Sequence, residues 1–205
     1  MIGLKHIEKA HQSIKKNIQA TPLIYSTKLS EISGAHVYLK MEHLQKTGSF
    51  KIRGVLNKLS HIKKKDFDKT FVAASTGNHA AAFAYASAQI GFKGVLFLPE
   101  NISEIKLKSL DKFKVEKRLF GKSSMETEQK ATTHANEING ILIHPYNDKH
   151  IIAGQGTVGL EIHEELPQVT KILVPIGGGG LISGICSYFS DFNNIEVIGC
   201  QPKNA

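Results

Sequence analysis

Apolar and polar positions at the start of the chain recur at helical spacing, with Ile7, Ile14 and Ile18 on one side and Lys5, Glu8, Lys15 and Lys16 on the other. The pattern predicts an amphipathic helix over about residues 3 to 18, stopping before Pro22, because proline biases the preceding residue away from helical geometry. It lacks the continuous apolar centre of a signal peptide. A short helical turn around Lys28 to Ile32 ends at Gly34, and HVYLKM (36–41) reads as a strand. Ser49 then caps a helix with Val55, Leu56, Leu59 and Ile62 on its apolar side. FVAAS (71–75) is a buried-strand pattern, followed by the helix HAAAFAYASAQIG, closed by Gly91, and the strand GVLFLP (94–99).

From 102 to 118 the pattern weakens, and KVEKRLF carries charges in place of a clean strand. A helix over roughly 123–138 precedes the strand GILIHP. AGQGTVGLEIHEEL (153–166) reads as a glycine turn entering an amphipathic helix with Val158, Ile162 and Leu166 aligned. KILVPI, GGGG, LISGICSYF and IEVIGC then read as strand, turn, helix and strand. Two βαβ units predict an α/β protein with parallel sheets, whose ligand-facing loops lie at the carboxyl ends of the strands.

Composition narrows the function classes. At 205 residues the chain forms one large domain or two small ones with a real core. The formal charge of +8 suits an anionic ligand, but the lysines of 51–70 and 106–122 lack aromatic interleaving and any nucleic-acid motif. They read as solvated faces, and no nucleic-acid partner is expected. Cys186 and Cys200 make no disulfide framework, no run approaches the length of a membrane span, and the cytoplasm is the expected location. The ten histidines show no metal-ligand spacing.

Three junctions between an apolar run and a helix carry candidate chemistry. In GSFKIRG, Lys51 sits near the positive end of a helix, where a neutral, nucleophilic amine is easier to obtain. STGNHA (75–80) offers the Ser75 and Thr76 hydroxyls, the Asn78 amide and helix-start N–H groups; it is either an ordinary cap or a binder of a carboxylate or ring oxygen. His79 reads as structural. GGGGL (177–181) is either a flexible joint or a phosphate-binding turn, and its apolar flanks favour the second reading. The lysine and hydroxyl of a nucleoside-triphosphate loop are missing, which points to a phosphorylated cofactor.

HLQKTGSFKIRG, ASTGNHAAAFAYA, AGQGTVGLEI and VPIGGGGLISGI, in this order, resemble the fold type II pyridoxal-phosphate enzymes, most closely the threonine/serine dehydratase and serine racemase branch. The resemblance implies pyridoxal 5'-phosphate as cofactor, with Lys51 as its Schiff-base lysine and Phe50 packed by its ring. It implies that Asn78 bonds the ring hydroxyl oxygen and that Gly177, Gly178, Gly179, Gly180 and Leu181 form the phosphate loop. Ser75, Thr76, Gly77 and His79 fall in the loop that holds the substrate carboxylate, and Thr76 joins Lys51 as a catalytic residue. The implied reaction is β-elimination of water from L-threonine or L-serine, giving a 2-oxo acid and ammonia.

The same resemblance implies a two-lobed fold, with residues 53–147 as the small lobe and residues 1–52 plus 148–205 as an incomplete large, cofactor-binding lobe. Family members continue past the point where this sequence stops, and their later part supplies the partner of the pyridine nitrogen. Gln201 stands where the cation-binding branch has a glutamate, so no metal site is expected, and Thr76 stands where racemases commonly have serine, which favours elimination over racemisation. A serine racemase-like enzyme is the alternative within the class. A noncatalytic remnant, or a split subunit needing a complementary C-terminal chain, is the alternative outside it, and a homo-oligomer is left open.

Overall fold

The computed structural model describes residues 2–75 and 77–203. Helix α1 (Leu4–Ile14) buries Ile7, Ala10 and Ile14, one face of the expected helix, but ends earlier than residue 18 in a tighter turn, with Asn17 N–H donating to the Ile14 carbonyl. Strands β1 (Leu23–Tyr25) and β2 (Tyr38–Lys40) pair antiparallel around α2 (Thr27–Ser33), which ends at the left-handed Gly34. This small ribbon departs from the all-parallel expectation.

Helix α3 (Lys51–Ser60) begins directly at Lys51. Its N-cap is Phe50 rather than Ser49, although the Ser49 Oγ lies 3.4 Å from the Lys51 N–H and serves the helix start from one residue further back. Arg53, Gly54 and Asn57 are buried together with Ile52, Val55, Leu56 and Leu59, so the helix is enclosed almost all round.

Strands β3 (Phe71–Ala74), β4 (Gly94–Leu98), β5 (Glu116–Leu119) and β6 (Ile141–Leu142) form a parallel sheet in the order β5-β4-β3-β6. The crossovers carry α4 (Asn78–Ile90), α5 (Glu104–Ser109) and α6 (Ser124–Glu137). The charged KVEKRLF stretch does form a strand: β5 takes the sheet edge, where Glu116 and Arg118 stay in solvent and charges discourage pairing with other chains. The expected strand 140–145 shortens to two residues. Ile143 still donates to the Val72 carbonyl, but its own carbonyl is taken by the His79 ring, and Pro145 has no N–H to offer.

Helix α7 (Lys149–Glu165) is capped by Asp148, whose Oδ1 accepts from the N–H groups of His150 and Ile151 at 2.8 and 3.1 Å. It runs unbroken through Gly154, Gly156 and Gly159, so the expected glycine turn is absent. Strand β7 (Lys171–Pro175), helix α8 (Gly180–Phe189) and β8 (Glu196–Cys200) form the second parallel unit. The glycines of α7 let helices touch. A Cβ on Gly154 would lie 2.6 Å from the Arg53 carbonyl oxygen, and one on Gly184 of α8 would lie 2.5 Å from both Gly156 N and the Ile152 carbonyl oxygen. Helix α7 thus packs backbone to backbone against α3 on one side and α8 on the other.

At the α3–α7 contact the fully buried Arg53 guanidinium donates to Glu161 at 2.6 and 2.8 Å and to Glu42 at 2.7 and 2.8 Å. Lys40 joins from β2, with its Nζ 3.0 Å from Glu161 Oε2 and 2.6 Å from the Thr21 carbonyl oxygen. Burial opposes the charge on Arg53, but hydrogen bonds and charge from Glu161 and Glu42 more than offset it and raise its proton affinity. Burial alone would push the Glu161 carboxyl up; the hydrogen bonds and charges of Arg53 and Lys40 win, and the net shift is downward. Among the described residues, no helix is long and apolar enough to cross a membrane.

Removing one partner of such a buried network leaves carboxylates uncompensated, so Arg53→Met is expected to destabilise the fold by about 3–5 kcal/mol in denaturant melts. Glu161 is held below its unfolded value, so its contribution is full above the ordinary carboxylate range and is lost as pH falls through the lowered value. The acid limb of the stability curve should therefore be flatter in Arg53→Met than in the parent. Gly184→Ala drives a methyl into the backbone of α7 and should cost about 1–3 kcal/mol. An unchanged melting temperature would show that the two helices can part freely.

Candidate active site

Lys51 opens α3, and its amine turns back under the loop that precedes α7, donating to the Pro145 carbonyl oxygen at 2.8 Å. The Nζ also lies 5.4 Å from the Phe50 ring centroid. Burial lowers the proton affinity of this amine, and the negative charge of Glu128 on α6 pulls the other way without cancelling the effect. The result is a partly buried lysine whose neutral form is more accessible than that of a surface lysine.

The segment 143–148 is the meeting point of the site, and sequence reasoning gave it no role. Ile143 holds His79, Pro145 holds Lys51, and Asp148 both caps α7 and pairs with Lys58 at 2.6 Å. His144 Nδ1 accepts from the N–H groups of Tyr146 and Asn147 at 3.3 and 2.9 Å, which fixes the bend. The Tyr146 ring then lies over the glycine turn: a Cβ on Gly178 would meet it at 2.3 Å, and one on Gly180 would lie 3.0 Å from the Tyr146 Cβ. Its hydroxyl donates to Glu128 Oε2 at 3.1 Å. The Pro145, Asn147 and Asp148 of HPYND are turn signals that could have marked this stretch from sequence.

The four glycines divide accordingly. Gly178 is required by the Tyr146 ring and Gly180 lies tight against the Tyr146 Cβ and backbone, whereas a Cβ on Gly177 or Gly179 would find no atom within 4 Å. Gly179 is the N-cap of α8 and adopts φ 80°, a left-handed conformation that side chains disfavour. The first N–H groups of α8 have no intrahelical partner, and the helix's partial positive charge lies behind them. Leu181 is partly buried and anchors the turn in the core formed by α1, α7, α8 and β7. Lys51 and this glycine turn come together through the adjacent residues Pro145 and Tyr146.

On the other side, α4 starts at Asn78, which is exposed and whose amide makes no hydrogen bond among the described residues. Ser75 Oγ accepts from the Gly77 N–H at 3.2 Å, so this hydroxyl stabilises its own turn. Thr76 lies outside the described residues. The His79 ring is fully buried, and burial pushes its pKa down to about 3. A carbonyl only accepts, so Nε2 carries the proton toward Ile143, 2.8 Å away, and Nδ1 is left as a buried bare acceptor. The ring supports the 143–148 segment and does not point its proton into the cleft.

The model of the family described as "Pyridoxal-phosphate dependent enzyme" matches residues 14–205. The chain is 42% identical over 205 residues to the L-threonine ammonia-lyase of Thermotoga maritima, covering all of this chain and 51% of that protein. It is 40% identical to the catabolic L-threonine dehydratase TdcB of Staphylococcus aureus, again along its whole length and over 60% of the relative. The structure of maize serine racemase superimposes with a TM-score of 0.93 at 33% identity, over 100% of this chain and 62% of that one. The chain thus spans between about half and three fifths of the length of the curated relatives it matches. Its parallel α/β architecture and its match along residues 14–205 agree: the chain belongs to the pyridoxal-phosphate-dependent enzyme family.

Proposed function

We propose that this chain carries the cofactor-binding and proton-transfer residues of a dehydratase (ammonia-lyase) that removes water from L-threonine or L-serine, giving a 2-oxo acid and ammonia. The observation that carries the reading is the shared dipeptide: Pro145 receives the Lys51 amine, while Tyr146 lies on the glycine turn. This pairing supports a reading in which a nucleophilic amine and an anion-binding helix start serve one small molecule.

The residues present fit pyridoxal phosphate. Open space beside Gly177 and Gly179, together with helix-start N–H groups, suits its phosphate. The unengaged Asn78 amide suits a ring oxygen, and Phe50 offers an apolar surface beside Lys51. When bound, the cofactor supplies an electron sink for charge left on the substrate's α-carbon. The chain's own part is to hold that carbon near the Lys51 Nζ, which takes the α-proton in its neutral form and keeps it as ammonium. The Asn78 N–H at the helix start, with the Ser75 and Thr76 hydroxyls, holds the substrate carboxylate in this reading, in a loop whose Gly77 N–H is engaged by Ser75. His79, its ring committed to Ile143, acts there through its backbone and by stiffening the segment beneath Lys51.

The same proposal divides the chain into lobes, 53–147 and 1–52 with 148–205, and places the enzyme in the cytoplasm with an amino-acid substrate. The four-stranded sheet falls wholly inside the first lobe and the β7–β8 pair inside the second, while α3 packs on both α4 and α7. A serine racemase-like activity is the second reading, supported by the superposition on maize serine racemase. The threonine ammonia-lyase and dehydratase relatives, at higher identity, favour elimination.

Purified protein incubated with pyridoxal phosphate and then desalted should keep a visible absorbance band that changes on adding L-threonine, with release of 2-oxobutanoate. Lys51→Ala, still folded, should lose the band and the product. Conversion of L-serine to D-serine without 2-oxo acid would move the assignment to racemase. No retained band in folded protein would overturn the reading of this chain as an enzyme in its own right, leaving a noncatalytic remnant or a subunit that needs a complementary chain.

A further inference from the structure

We propose that Glu128 is a positioning residue, the counter-charge of the Lys51 amine, held in place by the Tyr146 hydroxyl. The inference rests on Lys51 as the reacting amine of the preceding section. Glu128 sits in the second turn of α6, on a different element from Lys51, and its sequence neighbourhood gives no hint of a role. Two contacts tie it to the site. Its Oε2 accepts from the Tyr146 hydroxyl at 3.1 Å, and the residue before Tyr146 accepts the Lys51 amine at 2.8 Å. Carboxylate and amine are therefore fastened to neighbouring residues of one bent segment, itself locked by His144 Nδ1 and by His79 on Ile143.

Glu128 is partly buried, and among the described residues neither it nor Lys51 makes an ion pair with another group. The other titratable groups facing Lys51 are His79 from α4 and His144 from the loop before α7. Burial is the leading cause that lowers the proton affinity of each, and His79 at about 3 is neutral at any ordinary pH. Glu128 is thus the group that supplies negative charge to the amine, and its effect on Lys51 is to restore part of the proton affinity that burial removes. The balance matters chemically. An amine stripped of all proton affinity attacks readily but cannot keep the α-proton it has taken, and one with the affinity of a surface lysine is rarely neutral.

The consequence is read on the amine itself, without cofactor. Reductive methylation with formaldehyde and cyanoborohydride consumes neutral amines, and mass spectrometry of the Lys51 peptide across roughly pH 6 to 10 gives its titration midpoint, with the surface lysines as internal references. In Glu128→Gln the Lys51 midpoint should fall by about half a unit or more, which is roughly threefold faster labelling at a fixed pH below the midpoint, while the other lysines stay unchanged. Glu128→Asp should recover part of the difference. Tyr146→Phe keeps the ring on Gly178 and removes only the hydroxyl; it should move the midpoint in the same direction by less. An unchanged midpoint in folded Glu128→Gln overturns the proposal. Should that variant fail to fold, no shift or an upward shift in Tyr146→Phe overturns it. Since no pyridoxal phosphate is used, an absent cofactor band and an unmoved midpoint are separate results that sink separate readings.

Discussion

The buried guanidinium of Arg53 is the constraint on which the placement of the site depends. It lies two residues beyond Lys51 on α3, and its five donors are shared between Glu161 on α7, Glu42 ahead of α3 and the Thr157 hydroxyl. Such a fork has little freedom to rotate once both carboxylates are engaged. The first turn of α3 is therefore fixed in both height and rotation against α7. A lysine at the start of a helix would otherwise swing with the fraying end. The cluster adds little net stability compared with an apolar core of the same shape, because desolvation consumes much of the Coulomb gain. What it supplies is a single alignment.

That alignment is finished by glycines and by the bent segment before α7. Glycine inside a helix costs about 1 kcal/mol relative to alanine, and α7 carries three of them. The cost is offset because Gly154 allows α7 to lie on the α3 backbone beside Arg53, and Gly156 receives Gly184 of α8. The distance from the Lys51 end of α3 to the glycine turn that starts α8 is thus set through one rigid helix. The loop 143–148 then spans the remaining gap. Its carbonyls and the Tyr146 ring meet α3, α4, α6 and the glycine turn, so elements far apart in sequence converge on six residues.

The parts legible from sequence are those whose cause is local. The buried strands β3 and β4, the half-buried strand β7, the amphipathic first helix and the helix starts at Lys51, Asn78 and Gly180 all follow from periodicity and turn chemistry within a few residues. The parts that were not legible have distant causes. Arg53 and Glu161 are 108 positions apart, and nothing near either marks it as buried. AGQGTVGLE reads as a turn because glycine's local preference is to break helices, and only the approach of α3 and α8 turns it into a packing surface. β5 was obscured by its charges, which suit an edge strand. The GILIHP strand was cut short because a histidine from α4 takes the carbonyl that would have extended the ladder. In each case a tertiary partner overrides the local signal.

The Lys51 amine shows the same competition at the scale of one atom. Burial favours the neutral form, the start of a helix does the same through its partial positive charge, and the carbonyl of Pro145 accepts a hydrogen bond from the amine in either protonation state. Among the described residues Glu128 is the group that acts for the ammonium, and it does so while bonded to a tyrosine hydroxyl rather than by direct pairing. A direct ion pair would hold the proton too firmly and occupy the space in front of the amine. A carboxylate bonded to the residue next to Pro145 makes no direct pair with the amine and still moderates its charge. The proposed role of Lys51, alternating between nucleophile, base and acid, needs an environment opposed to either extreme, and here the opposing groups sit on separate elements that meet at one segment.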